Sequence, residues 1–356
     1  MQKIDNIEIK NFKSIRHQKI EGCKRINVFI GYPNVGKSNI LEALSLLTFI
    51  REKRRPIGLK GLVRLEKLSQ LFNYNNIQEP VVVAFNKDYS LLVNYEDENF
   101  LVLSIKKENE KKSWDFPFLN LTVGMESLNT GQKNEIDDFS GRFPDLQKLG
   151  VKPYKYSESK IFNETFSALE LKIPFGRNLF ELIVNNSKVQ KEFSELLKPY
   201  NLDLVIDVST NDAKVSPKIK NGIIQTIPIS LMADTLVRLV FFKTAILTNK
   251  DSVLLFEEPE SHMFPPYISK FTNDIVFDEN NNQFFITTHS PFVLNDLMDN
   301  LKSDELAIYI VSYKRETGET IIERMSDEDM HEAYQFGYDF FMNIDKFISQ
   351  KQHDEV

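Results

Sequence analysis

Residues 31–38, GYPNVGKS, fit the pattern G-x-x-x-x-G-K-[ST], and this stretch constrains the fold more than any other part of the chain. The apolar run Ile26–Ile30 before it predicts a buried strand, and residues 39–49 after it have helical spacing. Gly31 and Gly36 let the backbone curl until successive N–H groups point inward, where they can bind phosphate at the helix N-terminus. A glycine turn on the surface needs neither a buried strand before it nor a helix after it. We therefore interpret the stretch as a phosphate-binding loop for a nucleoside triphosphate.

The side chains of this loop predict ATP and Mg²⁺ as the bound groups. Lys37 would reach the β and γ phosphates, and the hydroxyl of Ser38 would bind Mg²⁺. The other loop residues that we expect to contact the nucleotide are Gly31, Asn34, Val35, Gly36 and Asn39.

A second stretch, DSVLLFEEPE at residues 251–260, places carboxylates directly after four apolar residues. Such a strand suits a fully covered parallel sheet, and ligands bind at the carboxyl ends of the strands in such sheets. Phosphoryl transfer needs one acid near Mg²⁺ and another that orients and deprotonates water. We therefore assign Glu257 to the metal and Glu258 to the water. Taken alone, the stretch is equally typical of an acidic turn before a helix.

A third stretch, QFFITTHSP at residues 283–291, predicts another buried strand that ends in a polar cluster. His289 at such a strand end can hydrogen-bond the γ-phosphate or the attacking water. A lone histidine is more often structural, but two related motifs precede this one in the expected order. We assign His289 a catalytic role and leave His17 and His262 as structural residues.

Composition excludes several classes of protein. The formal net charge of −7 and the pI near 5.5 do not favour a general nucleic-acid coat, although a local basic patch stays open. One cysteine, Cys23, excludes an internal disulfide framework and indicates a reducing, cytoplasmic location. The N-terminus lacks the apolar block of a signal peptide, and no run approaches about 18 apolar residues, so we expect no membrane span.

Strand-like segments predict an antiparallel β lobe around the phosphate loop. They lie at residues 4–9, 16–20, 81–85, 91–95 and 100–105, and shorter ones follow at 202–208, 213–219, 223–227 and in a hairpin at 306–323. Helical spacing covers residues 178–197, with a break near Asn185-Asn186, and residues 231–247. We also expect an aromatic-rich helix around residues 334–348.

Two further features each have two interpretations. The basic run at residues 51–55 is either a solvated helix end or a contact for phosphate backbones or an acidic partner. Trp114 is either a packing residue or a platform for stacking bases.

Four segments together resemble the RecF/SMC/OLD-type branch of the ABC ATPases, specifically stand-alone members known only as AAA-family ATPases. They are IEIKNFKSI, GYPNVGKSNILEAL, LLFEEPESHMFPPY and FFITTHSPFVL. The resemblance spans roughly residues 1–50 and 223–298. It implies an α/β fold, an ABC-type ATPase head whose P-loop NTPase sheet carries an N-terminal antiparallel β lobe and an inserted α+β segment.

The resemblance also predicts a domain plan. Residues 1–110 would form the N-terminal ATPase lobe, residues 111–200 an inserted mixed or helical segment, and residues 201–356 the C-terminal lobe. OLD nucleases carry a Toprim nuclease domain after the ATPase, and the roughly 50 residues left here are too few for one.

Heads of this family bind ATP between two copies, each placing a signature segment over the other's γ-phosphate. The matching region, residues 228–238, lacks the usual glycine pair. The resemblance then implies phosphate contacts from Ala233, Asp234 and Thr235 at a helix start, and from Arg238 one turn later.

Other family positions also depart from the pattern. Glu257 stands where an aspartate is usual, and its longer arm changes the expected Mg²⁺ geometry. The family's glutamine that links the γ-phosphate to the second lobe has two candidates here, Gln70 and Gln78. These departures predict slow hydrolysis with nucleotide binding retained.

We interpret the chain as an ATPase whose ATP-driven homodimer, or higher oligomer, controls a separately encoded effector, a nuclease or toxin, in bacterial anti-phage defence. Two alternatives stay open: a RecF-like repair or maintenance ATPase that binds duplex DNA, and a scaffold that holds ATP with little turnover. Salt-dependent DNA affinity would favour the first alternative, and ATP retained through purification without turnover would favour the second.

Overall fold

The computed structural model describes most of the chain as strands, helices and their connections. The described residues are 3–51, 58–86, 88–98, 100–107, 113–119, 149–158, 169–207, 212–218, 225–337 and 339–348. Much of the basic run at residues 51–55 and much of the predicted insertion lie outside them. Trp114 lies in a strand, residues 113–119, of which the structure describes only the backbone.

The described strands are β1 Ile7–Phe12, β2 Ile15–Ile20, β3 Ile26–Ile30, β4 Val81–Phe85, β5 Tyr89–Tyr95, β6 Leu101–Lys107, β7 Ser113–Leu119, β8 Val151–Tyr154, β9 Leu202–Asp207, β10 Asp212–Pro217, β11 Ile227–Pro228, β12 Val253–Glu257, β13 Gln283–Thr287, β14 Leu306–Tyr313 and β15 Thr320–Arg324. The described α-helices are α1 Lys37–Ser45, α2 Thr48–Arg51, α3 Leu59–Leu62, α4 Leu179–Asn185, α5 Ser187–Leu197, α6 Asp234–Thr248, α7 Pro265–Val276, α8 Pro291–Asn300 and α9 Asp327–Gln335.

The central sheet has the order β15-β14-β3-β13-β12-β8. Strands β14, β3, β13, β12 and β8 run parallel, and β15 returns antiparallel at one edge. Strands β3 and β13 are buried throughout, as expected for strands covered on both faces. The predicted site residues of all three motifs therefore lie at the carboxyl ends of the neighbouring strands β3, β13 and β12, on the same side of the sheet.

Two antiparallel sheets flank the central one. The larger has the order β2-β1-β4-β5-β6-β7 and contains the strands predicted for the antiparallel β lobe, and the smaller has the order β11-β10-β9. Strand β8 lies within the segment that we expected to be an insertion, yet it pairs with β12 and so completes the central sheet.

Two apolar cores fill the space on either side of the central sheet. Successive side chains of a strand point to opposite faces, so Val28 and Ile30 pack in one core while Phe29 packs in the other. The first core joins the sheet to α1 and the antiparallel lobe, and the second joins it to α4 through α9. The strand that leads into the phosphate loop is thus packed on both faces, and Val35 of the loop belongs to the first core.

The break in the predicted helix at 178–197 is confirmed, since Asn186 separates α4 from α5 and its side chain caps α5 by accepting from Lys188 and Val189 N–H groups. The predicted helix around residues 334–348 is wrong. Helix α9 ends at Gln335, Gly337 follows with φ of 65°, and Asp339 accepts hydrogen bonds from the backbone N–H groups of Phe341 and Met342. A carboxylate that binds nearby N–H groups competes with helical hydrogen bonding, and this favours a turn.

Among the described residues, no helix combines the length and the apolar character needed to cross a membrane.

Candidate active site

The phosphate loop joins β3 to α1 at the carboxyl end of the sheet. Helix α1 begins at Lys37, so the last two residues of the loop, Lys37 and Ser38, are also the first two of the helix. Asn34 and Gly36 have positive φ angles of 65° and 99°, which turn the chain tightly before the helix. The first N–H groups of a helix have no partner within it, so this geometry leaves backbone donors for phosphate oxygens.

Three side chains hold the loop from behind. Thr320 in β15 donates from Oγ1 to the carbonyl of Val35 (2.9 Å), and Ser14 Oγ lies 2.6 Å from the same Oγ1. Asn39 donates from Nδ2 to Ser14 Oγ (2.7 Å), and its backbone N–H donates to the carbonyl of Gly36 (3.0 Å). Asn39, which we expected to contact the nucleotide, therefore also braces the loop.

Replacing Gly36 by alanine should disrupt this support. A Cβ there would lie 2.1 Å from Thr320 Oγ1 and 2.8 Å from Ser14 Oγ, at a φ of +99°. The backbone strain alone costs about 1–3 kcal/mol, and the clash adds to it. We expect a lower free energy of unfolding and weaker ATP binding, measured by denaturant unfolding and nucleotide titration.

Gly337→Ala is the matched control. Gly337 also has a positive φ, of 65°, but a Cβ there would meet nothing within 4 Å. This variant should lose only the stability that the backbone strain costs, and it should keep its ATP affinity. Equal losses of stability and of ATP affinity in the two variants would contradict the proposed bracing of the loop.

Lys37 is buried and folded back on its own loop. Its Nζ donates to the carbonyls of Gly31 (3.0 Å) and Tyr32 (2.7 Å). Burial lowers the pKa of Lys37 to about 8, and the nearby charge of Glu258 opposes that shift. A buried ammonium held by two neutral carbonyls gains a strong partner when an anion enters the loop.

The carboxylates of the second stretch follow β12 as predicted. Glu257 is its last residue, and Glu258 turns away with a φ of 41°, a strained value for a residue with a side chain. The N–H of Glu258 donates to the carbonyl of Thr287 in β13 (3.0 Å). The carboxylate of Glu258 is half-buried, with Oε1 3.4 Å from Nε2 of His289 and Oε2 accepting from Ser261 Oγ (3.3 Å). The structure thus brings the predicted base and the predicted histidine together.

His289 is held by a carboxylate that sequence analysis missed. Buried Glu260 accepts at Oε1 from Thr288 Oγ1 (2.6 Å) and from the backbone N–H of His289 (3.1 Å). Burial raises the pKa of Glu260. Burial and the charge of Lys37 lower the pKa of His289, against an opposing effect of Glu258, and this favours a neutral imidazole. The sequence signal for Glu260 was its place two residues after Glu258.

A second missed group surrounds Glu42, a buried carboxylate of α1. Arg64 bridges two acids, with Nε 2.9 Å from Glu42 Oε1 and Nη2 2.8 Å from Glu257 Oε1. Lys13 donates to Glu42 Oε2 (2.5 Å), and Lys155 Nζ lies 3.9 Å from Glu42 Oε1. The charge on Glu42 within the apolar run ILEAL was a signal for this group, and the sequence around Arg64 carried none.

One cavity of about 410 Å³ unites several of these side chains. Three cationic side chains, two carboxylates and the loop hydroxyl contribute to its wall: Arg64, Lys155, Arg238, Glu257, Glu258 and Ser38. Gln70 and Gln78 do not line it, and Gln70 Oε1 instead accepts from the N–H groups of Glu66 and Lys67. The mixture of cations with oxygen ligands suits a polyphosphate bound with a hard cation.

The predicted signature segment divides between two cavities. Arg238 lines the cavity of its own chain; its guanidinium lies 4.4 Å from the ring centre of Tyr156, whose hydroxyl donates to Asp234 Oδ1 (2.5 Å). Among the described residues, the buried Nε of Arg238 has no hydrogen-bond partner. Ala233 and Thr235 line a separate, mostly apolar cavity of about 470 Å³. The structure therefore groups Arg238 with Ser38 and Glu258, and leaves Ala233 and Thr235 apart from them.

One family pattern, described as an AAA domain, putative AbiEii toxin, type IV TA system, matches residues 26–295, more than half of the chain. An ATP/GTP phosphatase of Helicobacter pylori is 24% identical over 324 residues, which are 81% of this chain and 85% of that protein.

Two further relatives match smaller shares of their own lengths. The Septu protein PtuA of Bacillus mycoides is 24% identical over 339 residues, covering 88% of this chain and 41% of PtuA. The DNA replication and repair protein RecF of a Thermoanaerobacter species is 41% identical over 128 residues, covering 35% of this chain and 33% of RecF.

Among solved structures, an Smc head domain from Pyrococcus furiosus, bound to the C-terminal domain of ScpA, superposes with a TM-score of 0.52 at 12% identity. The superposition covers 93% of this chain and 98% of that one. At this identity the similarity concerns the fold alone, and it confirms the predicted fold class.

Proposed function

We propose a function from one premise: the chain belongs to the family described as an AAA domain, putative AbiEii toxin, type IV TA system, and is an ABC-type ATPase of the RecF and SMC kind. We propose that it hydrolyses ATP in the cavity described above. We also propose that ATP-dependent dimerisation controls a partner effector. The observation that carries the proposal is that Ser38, Glu257 and Glu258, from two separate strand ends, meet on one cavity.

The donor set fits MgATP. Lys37 and the N–H groups of the loop would hold the phosphates, and Ser38 and Glu257 would hold Mg²⁺ through a hydroxyl and a carboxylate oxygen, the ligands that this ion prefers. The ion would neutralise charge on the phosphate oxygens. Arg64, which pairs with Glu257, would shift toward Glu42 or toward a phosphate oxygen when that carboxylate takes a new partner.

Glu258 would orient the attacking water and take its proton. The carboxylate faces the cavity, and Ser261 and His289 limit its rotation. A neutral His289 can donate one hydrogen bond to the water or to the γ-phosphate and accept another at its second nitrogen. Slow turnover is expected, since the signature segment lacks the glycine pair that would let the backbone approach the phosphate.

A second copy would complete the site. Arg238 already lies on its own chain's cavity, whereas the exposed residue Ala233 and the adjacent Thr235 face away from it. In a two-fold dimer the helix start at these residues would cover the loop of the other copy, exclude water and strengthen the charge contacts.

Mixing two inactive variants tests this arrangement. Lys37→Ala removes the loop lysine and keeps the helix start, while Ala233→Arg adds bulk and charge at the helix start and keeps the loop. Each variant alone should hydrolyse ATP poorly. In the mixed dimer one of the two composite sites has both parts intact, so part of the steady-state ATPase rate should return, measured by phosphate release.

Two controls make the result decisive. Ala233→Arg alone must bind ATP like the parent chain, and Ala233→Ser should dimerise and hydrolyse normally. If the rate stays low where light scattering shows that the mixed dimer has formed, the site works within one chain.

The proposed effector is a separately encoded nuclease or toxin of a defence system, as the similarity to a Septu protein favours. The similar Smc head carries the C-terminal domain of ScpA, so a head of this fold can bind another protein. Purification with the product of the adjacent gene, with and without ATP, tests the partnership.

We propose the cytoplasm as the location of the protein. We also propose three parts of the chain: residues 1–110 as the N-terminal lobe, residues 111–200 as the insertion and residues 201–356 as the C-terminal lobe.

A RecF-like function on duplex DNA is the second candidate, favoured by the 41% identity to RecF over 128 residues. It predicts ATP-dependent DNA binding that weakens steeply as salt rises.

A scaffold role, in which ATP is held with little turnover, is the third candidate and would appear as stoichiometric ATP retained after purification.

A further inference from the structure

Lys155 follows β8, the strand that neighbours β12 in the central sheet. The two strands run parallel, with Tyr154 opposite Phe256, so Lys155 leaves the sheet at the edge where Glu257 and Glu258 emerge. It lines the same cavity as Glu258 and Ser38. No sequence motif marked this lysine, because its neighbour β12 lies about a hundred residues further along the chain.

Among the described residues, the ammonium of Lys155 has two partners near the cavity, a backbone carbonyl and the carboxylate of Glu42. Its Nζ donates to the carbonyl of Leu62 (2.6 Å). Glu42 Oε1 is 3.9 Å away and already accepts from the backbone N–H and Nε of Arg64. Burial lowers the pKa of Lys155, and the charges of Glu42 and Glu257 oppose that shift.

The chemistry of this group selects its ligand. An ammonium has three donors and no lone pair, so it cannot ligate Mg²⁺ as an amide oxygen can. It binds anionic oxygen instead. Lys37 and the loop amides would hold the phosphates nearest the loop, whereas Lys155 shares a cavity wall with Glu258, the proposed base, where the γ-phosphate would lie.

We propose that Lys155 binds the γ-phosphate of ATP and so lets the site distinguish ATP from ADP, from a position on the cavity wall that neither Gln70 nor Gln78 occupies. The inference rests on the proposed ATPase function and adds a residue to it. Because Lys155 also binds the carbonyl of Leu62, an incoming γ-phosphate would change a contact with the end of α3.

Lys155→Met, which keeps the length and removes the charge, tests this role. Losing one charge-assisted contact should weaken binding of a non-hydrolysable ATP analogue with Mg²⁺ by about 10- to 100-fold, while ADP affinity changes less than about twofold. Both are measured by calorimetric titration. Lys60→Met is the matched control, since Lys60 is an exposed lysine of α3 that does not line the cavity, and its two affinities should not change.

Lys155→Gln separates the phosphate contact from the tether to Leu62, because the amide can still donate to that carbonyl. It should fold like the parent and still lose the preference for the ATP analogue. An equal fall in both affinities, or no fall in either variant, would overturn the assignment. If the parent chain binds no ATP at all, the proposed function itself fails, an outcome distinct from a parent that binds ATP and a Lys155 variant that binds it equally.

Discussion

Glu258→Gln should reduce the steady-state rate of ATP hydrolysis by about 10²- to 10⁴-fold, the contribution of a positioned general base. The amide has the shape of the carboxylate but cannot take a proton from water. The carboxylate is positioned by Ser261 on one oxygen and by His289 on the other, so its loss removes a group already aimed at the cavity. Affinity for ATP should stay within a few-fold of the parent, and the variant should accumulate as a closed dimer with ATP and Mg²⁺.

Phosphate release and light scattering measure the two effects. Ser261→Ala is the matched control, because it removes one hydrogen bond to Glu258 and keeps the base. We expect a much smaller loss of rate from it. Unchanged hydrolysis by Glu258→Gln would remove Glu258 from the catalytic role.

Lys37→Ala should weaken nucleotide binding strongly, with a fall in ATP affinity on the order of 100-fold for a buried charge-assisted contact to phosphate. The substitution removes the cation and leaves the carbonyls of Gly31 and Tyr32 without their donor. Titration with a fluorescent nucleotide measures the loss.

The loss of ATP binding must be separated from a loss of stability. An unpaired buried carbonyl costs about 1–3 kcal/mol, so the unfolding free energy of the variant is measured in parallel. Lys60→Ala, at an exposed site, should leave both quantities unchanged. Wild-type affinity in a folded Lys37→Ala protein would contradict the interpretation of residues 31–38 as a phosphate-binding loop.

The parts of the site that sequence analysis predicted share one property. Lys37, Glu258 and His289 each follow a short apolar strand within a few residues, so local patterns place them at the ends of strands. Parallel strands then bring these ends to one edge of the sheet. The predicted fold class, which the resemblance of these same segments to a known family implied, is confirmed by the similar Smc head.

The residues that sequence analysis missed depend on contacts between distant segments. Arg64 and Glu257 are 193 positions apart, and nothing near Arg64 indicates its partner. Lys155 lies at the site because β8 pairs with β12, and the hydrophobic pattern of the sequence does not define which strands pair or in what register. The helix predicted around residues 334–348 failed for a local reason: the segment is rich in aromatic side chains, but α9 ends at Gln335 and Asp339 then forms a turn.

The hydrogen bond from Thr320 to Val35 also sets how late in synthesis the phosphate loop can gain its full support. The two residues are 285 positions apart, so at roughly 5–20 residues per second the ribosome would complete the support of the loop roughly 15 to 60 s after making the loop itself. Until then a nascent chain would carry residues 31–38 without their brace.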